Sequence, residues 1–232
     1  MRVIIMSDIH GNLRALRAVV AALPGADRVI VAGDHVLDGP EPAAVMDLLE
    51  ELGWDLLLGN TDRDIVTPPD GLSVDAGNLI NWTRDQLGEK RLATLASLPF
   101  SHAIEDGGSK LALVVHANPL DLDRPLPPDM SAKKLRPFLA AVDADLLAFG
   151  HLHIPYTRPV AGKLLVDVSS VGHPKDLDVR AAYTVVEWNS SGGRSVTQAR
   201  VPYDLDAAIA DIRGRDMPAA DLLARSLRKA SY

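Results

Sequence analysis

The first sixty residues alternate short strand-like runs with longer stretches of helical periodicity, and this alternation restricts the fold more than any other feature of the chain. Residues 3–6, 28–32 and 54–58 read as strands. Between the first two, Leu13, Leu16, Val19, Val20 and Leu23 recur at helical spacing until Pro24-Gly25 ends the run. Between the second and third, residues 42–52 read as a helix with Pro42 in its first turn and Gly53 after its end. Strands separated by whole helices pair in parallel, with the helices covering the sheet.

The pattern changes twice downstream. Residues 67–98 are mostly helical and rather polar, a helical excursion. Strand signals resume at 110–115, a Pro-rich loop spans 118–128, a helix ends near Val142, and 145–149 is a buried strand. From Ile154 onward the chain reads as hairpins, with strands at 157–160, 163–168, 181–188 and 194–201 and a turn beginning at Asn189. Helices at 204–213 and 219–229 close the chain. The expectation is a single α/β domain over residues 1–232 with two stacked sheets.

Composition narrows the function. With 47% hydrophobic and 24% charged residues the chain can bury an ordinary core, built mostly from Val, Leu, Ile and Ala because aromatics are few. The absence of cysteine excludes disulfides, thiol nucleophiles and thiolate metal sites. The net charge of −7 and the scattered Lys and Arg argue against a nucleic-acid partner, which is held through its phosphates by a basic face. The apolar run before Ser7 is too short for a signal-peptide core, and no later run is long enough to span a bilayer. A soluble cytoplasmic protein with a small-molecule partner and no membrane is expected.

Polar residues fall where the strands end. Asp8 and His10 follow the first, Asp34 the second, Asn60 the third, His116 ends the fourth, and His151 with His153 follow the fifth. Ligands of open α/β sheets bind beyond the carboxyl ends of the strands. Each residue has a plainer alternative: Asp8 and His10 as helix caps, Asp34 and Asn60 as turn residues, His116 at a strand end, His151 and His153 on the surface. All seven together point to metal. Two divalent ions ~3.5–4 Å apart repel and need a bridging anion. A carboxylate such as Asp34 can touch both, while neutral His and Asn fill the remaining positions. Gly11, Gly33, Gly59 and Gly150 permit tight turns and leave room beside the ions.

The motifs DIHGN at 8–12, Gly33-Asp34, GN-x-D at 59–62, the lone His116 and GHLH at 150–153 occur in the order seen in calcineurin-like metallophosphoesterases. The chain resembles the small prokaryotic phosphodiesterase branch of that superfamily from Arg2 to about Trp188, with Gly39-Pro40 and SVGHP at 170–174 as further agreement. The resemblance implies a four-layer sandwich of two mixed β-sheets flanked by helices. It implies one metal held by Asp8, His10, Asp34 and His153 and a second held by Asp34, Asn60, His116 and His151. Mn is the first choice and Fe, Ni, Co or Zn suit the same nitrogen and oxygen donors. It also implies attack of a metal-bound hydroxide on a small phosphodiester or phosphomonoester, a nucleotide among the candidates. Asn60, Asp62 and His151 are the candidate catalytic residues.

Three departures matter. The family often has His after Asn in GN-x-D, where this chain has Thr61, so the general acid is open, with His35 and His173 as further candidates. The superfamily's protein phosphatases carry Arg where this chain has Asp38. Residues 167–169 replace the branch's Asn-Pro-Gly. Arg63 and Arg180 are candidate phosphate contacts, or else solvated or paired arginines. His102 reads as a surface residue, and Arg225, Arg228 and Lys229 as a solvated helix face. The alternatives are a superfamily nuclease acting on DNA ends, which predicts a basic groove, and a non-catalytic interaction module like the retromer subunit of this fold, which predicts lost ligands.

Overall fold

The computed structural model describes residues 1–231. The first half of the chain forms β1 (Arg2–Met6), α1 (Leu13–Ala22), β2 (Arg28–Val31), α2 (Pro42–Leu52), β3 (Asp55–Leu56), α3 (Asn60–Val66), α4 (Val74–Ala96), β4 (Ser101–Asp106) and β5 (Ser109–Val115). The second half forms α5 (Ala132–Ala140), β6 (Leu146–Phe149), β7 (Tyr156–Val160), β8 (Lys163–Asp167), β9 (Ala181–Trp188), β10 (Arg194–Val201), α6 (Leu205–Gly214) and α7 (Ala220–Lys229).

The strands make two mixed five-stranded sheets, ordered β10-β9-β1-β2-β3 and β4-β5-β6-β8-β7. In the first, β1, β2 and β3 are parallel and the β9–β10 hairpin adds antiparallel to β1. In the second, β5, β6 and β8 are parallel, with β4 and β7 antiparallel at the edges. Val3, Ile5 and Ile30 of one sheet pack against Val114, Leu146, Ala148 and Val166 of the other. The alternate residues Ile4 and Met6 face Leu16, Val19, Val45 and Leu49 of the helices. A strand buried on both faces is an unbroken apolar run, which is how β1 reads. The outer face of the second sheet packs Leu147, Phe149 and Leu165 on Leu135, Phe138 and Leu139 of α5. The result is the expected four-layer sandwich.

Several expectations needed correction. The third strand is only Asp55–Leu56, because its pairing with β2 ends there and Leu58 turns away to bond the carbonyl of Pro99. A seven-residue helix, α3, begins at Asn60 and was too short for periodicity to reveal. Strand β4 was absent from the sequence reading, since this polar edge strand buries only Ile104. The helical excursion is real, running from Val74 to Ala96 with a kink at Gly88. The two late hairpins form as expected but in different sheets, so the chain crosses between sheets after β8. Helices α6 and α7 pack Ile209, Ile212, Leu223 and Leu227 with Leu79 of α4. Among the described residues no helix is long and apolar enough to cross a membrane.

Candidate metal centre

Asp8 and His10 lie between β1 and α1, and neither caps that helix. The cap is Asn12, whose side-chain oxygen accepts from the Ala15 amide. Asp34 follows β2, Asn60 opens α3, His116 follows β5, and His151 and His153 follow β6. Asp8, His10, Asp34, His151 and His153 all hold left-handed backbone, with φ between 49° and 70°. Such conformations in residues with side chains cluster at functional sites. Gly59 is required by a close approach: a Cβ there would lie 2.1 Å from Asp34 Oδ1.

The seven side chains converge at the carboxyl edge of both sheets. Ligand atoms of Asp8, His10 and His153 lie within 4.8 Å of one another, as do those of Asp34, His116 and His151. Asp34 Oδ2 sits between the groups, 3.9 Å from His10 Nε2 and 3.4 Å from His116 Nε2. Asn60 Oδ1 lies 2.8 Å from His116 Nε2 and 3.0 Å from His151 Nδ1.

The imidazoles decide what this cluster can hold. His10, His116 and His153 each donate from Nδ1 to a main-chain carbonyl, of Leu37, Ala32 and His173 respectively. His151 donates from Nε2 to the carbonyl of Asp123. The other ring nitrogen of each points into the cluster, the arrangement by which outer partners orient metal-binding histidines. His10 Nε2 and His153 Nε2 face each other at 3.2 Å, and His151 Nδ1 and His116 Nε2 at 3.3 Å. Paired nitrogen lone pairs at that separation repel unless a proton or a cation lies between them. Asp8 Oδ1, fully buried, accepts no well-formed hydrogen bond although His153 Nε2 is 3.0 Å away. This donor set fits divalent transition ions.

Without metal, protons take that place. Burial alone would lower His10, but the nearby carboxylates of Asp8, Asp34 and Asp38 raise it to about 9. Burial likewise opposes His116, which Asp34 raises to about 10. Burial pushes the Asp8 and Asp34 carboxyls up, and the surrounding imidazoles outweigh it, holding both low. His151 is lowered by burial and by its neighbour His116.

The remaining candidates divide. Asp62 Oδ2 accepts from the amides of Asp34 at 2.8 Å and Gly59 at 3.1 Å and from the His35 ring at 2.7 Å, while Oδ1 accepts from the His35 amide. Its carboxylate therefore ties the β2 and β3 loops together behind the cluster. His35 is fully buried with Nε2 unpartnered. The Thr61 amide donates to Asp34 Oδ1, and its hydroxyl is buried without a hydrogen bond. His173 lies at the margin, its ring centroid 6.1 Å from those of His10 and His153 and its Nε2 2.9 Å from Ser226 Oγ. Arg63 is clamped by Asp64 and Asp123, and Arg180 by Asp178. His102, read as a surface residue, is partly buried on β4.

Two residues beside the cluster escaped notice in the sequence. Asp123 orients His151 through its carbonyl and holds Arg63 through its carboxylate. Lys175 is half-buried, and burial lowers its ammonium against the pull of Asp8, Asp38 and Asp34. Its only signal was adjacency to SVGHP. A concavity of about 670 Å³ lies at the far end of β1, lined by Met1, Arg2, Asp27, Glu187 and Arg194, remote from these groups.

Comparison with known proteins agrees with this geometry. Residues 1–191 match the model of the calcineurin-like phosphoesterase superfamily domain. An uncharacterised protein of Methanocaldococcus jannaschii is 27% identical over 238 residues, covering 92% of this chain and 93% of that one. The crystal structure of a metallophosphoesterase from Sphaerobacter thermophilus superposes with a TM-score of 0.81 at 28% identity, covering 99% of each chain. A hypothetical protein of Pyrococcus horikoshii shares the fold, with a TM-score of 0.85 at 17% identity over 99% of this chain and 98% of that one. A match over the first 191 residues, ending in the turn between β9 and β10, places this chain in the calcineurin-like phosphoesterase superfamily.

Proposed function

We propose that this protein is a dinuclear-metal phosphoesterase that hydrolyses a small phosphodiester or phosphomonoester, a nucleotide among the candidates. One observation carries the reading: four imidazoles, each fixed by a carbonyl, turn their free nitrogens onto two buried carboxylates and Asn60. Asp8, His10, Asp34 and His153 would hold one ion, and Asp34, Asn60, His116 and His151 the other, with Asp34 shared. Two divalent ions there supply charge neutralisation and a nucleophile at neutral pH. Manganese is the first choice among Mn, Fe, Co, Ni and Zn.

The chain's own groups do the positioning. Asn60 would offer its amide oxygen to one ion and its amide NH2 to a phosphoryl oxygen. Asp62 keeps the Asp34 and Gly59 loops in register, so its contribution to catalysis is indirect. A non-catalytic interaction module would have no use for the complete donor set. Cytoplasmic location remains the reading of the sequence.

Chelator-treated protein reloaded with Mn should bind two ions per chain by elemental analysis and hydrolyse bis-p-nitrophenyl phosphate. Asp34→Asn should lose both properties. His151→Ala and His153→Ala should each weaken a different ion, so that excess Mn rescues them unequally. One tightly bound ion, with Asp34→Asn leaving that stoichiometry intact, defeats the dinuclear reading. Two bound ions without turnover on any aryl phosphoester, cyclic nucleotide or dinucleoside polyphosphate defeats the enzymatic one.

A further inference from the structure

The four histidines of the centre are not oriented by the same part of the molecule. His116 gives Nδ1 to the carbonyl of Ala32, a residue of the core between the sheets, at 2.8 Å. His151 gives Nε2 to the carbonyl of Asp123, in the loop between β5 and α5, at 2.9 Å. His10 uses the carbonyl of Leu37 at 2.9 Å, and His153 that of His173. Leu37 and His173 both meet the helix pair α6–α7, which lies beyond the residues matched to the superfamily domain.

For His173 the contact is polar. Its Nε2 lies 2.9 Å from Ser226 Oγ on α7, and that hydroxyl donates to the Ser231 carbonyl at 2.7 Å. A hydroxyl has one hydrogen to give, so the ring is the donor of the first bond. The end of the helix adds a second tie, since the Leu177 amide donates to the carbonyl of Ala230, which caps α7, at 3.0 Å. For Leu37 the contact is apolar: it packs on the cluster that contains Ile209, Ile212, Leu223 and Leu227. The gap between these helices and His10 and His173 is about 10 Å³, no more than a single water needs. The helices therefore close against the two histidines instead of bounding a ligand subsite.

We infer that α6 and α7 brace one half of the metal centre, with Ser226 and Leu227 as positioning residues that set the affinity of the Asp8–His10–His153 side for its ion; the inference rests on the dinuclear reading above. An imidazole ligates well when its other nitrogen is held, because the outer bond fixes both the tautomer and the direction of the ring. On this side two such bonds end on carbonyls of residues that the helix pair holds. The outer partners of His116 and His151 lie after β2 and before α5, on neither helix. Loosening the pair should therefore cost one ion and spare the other.

Mn titration of the chelator-treated, full-length protein by isothermal titration calorimetry is the test, in two backgrounds that each keep one half of the centre. In His151→Ala the remaining tight ion is that of the Asp8–His10–His153 side. Adding Ser226→Ala should weaken it about tenfold, the lower end of the loss when an outer partner of a ligand is removed. In His153→Ala the remaining ion is the other one, and adding Ser226→Ala should leave its affinity within about twofold. Alanine is a better helix former than serine, so a one-sided loss does not come from a weakened α7. Ser226→Thr keeps the hydroxyl and should stay close to the unmodified protein, whereas Leu227→Ala should repeat the one-sided loss through packing. Equal weakening in both backgrounds overturns the inference, since general loosening of the fold would do that. No weakening in the His151→Ala background overturns it as well. Either result leaves the dinuclear reading intact if the unmodified protein binds two ions; a single ion there defeats both.

Discussion

Left-handed backbone at Asp8, His10, Asp34, His151 and His153 costs on the order of 1 kcal/mol or more per residue. Beside this strained set, Thr61 is the position where chemistry departs from the family pattern. Its amide serves Asp34, its hydroxyl is buried, and a threonine hydroxyl is a poor proton donor near neutral pH. A histidine there contributes typically ~10²–10⁴-fold as a general acid. Rates across substrates of graded leaving-group basicity should fall steeply as the leaving group becomes more basic, and Thr61→His should flatten the slope. A shallow slope in the unmodified protein would mean another acid acts, with His173 at the margin of the centre better placed than the buried His35. The residues that converge at the centre could be picked out from residue type and order. The roles of Asp62 and His35 could not, because which way a carboxylate turns depends on the loops it meets.

Loops and strand ends carry the site, so element-level damage should show as lost metal. Gly59→Ala puts a methyl group against Asp34, at 2.1 Å from Oδ1 and 2.2 Å from the amide nitrogen. Gly53 is the control: it closes α2 at φ 62° with nothing within 4 Å of an added Cβ. Gly59→Ala should lose bound metal and activity, whereas Gly53→Ala should keep both and cost about 1–2 kcal/mol of stability from the left-handed conformation alone. Elemental analysis together with urea unfolding separates the two; full metal occupancy in Gly59→Ala would mean the loops can part without harm. The elements that periodicity revealed were those with a buried stripe, such as α1 and α2. Strand β4 and helix α3 escaped it, one being a polar edge and the other only two turns long.

At the scale of the whole molecule the buried charges link metal, protons and stability. In the metal-free protein His10 and His116 are raised to about 9 and about 10, above the usual 6.5. A group raised on folding contributes stability that is fully present below its unfolded value and lost as pH rises through its folded value. Chelator-treated protein should therefore lose melting temperature between pH 7 and 10, and protein carrying two ions should not, because metal replaces those protons. Parallel melting curves for the two forms across that range would contradict this coupling.

The sequence by itself determined that strands and helices alternate into a parallel sheet, that seven residues of metal-ligating type stand at strand ends, and that no thiol takes part. These are properties of local period and residue type, which survive without knowledge of contacts. Only the tertiary structure decided that Arg63 is committed to Asp64 and Asp123, that Asp62 faces the loops, and that the two late hairpins part into different sheets. Each of those depends on which distant segment a side chain or strand meets. The crossing that the parted hairpins require brings the Gly172 amide to the Asp8 carbonyl and the Lys175 amide to the His153 carbonyl.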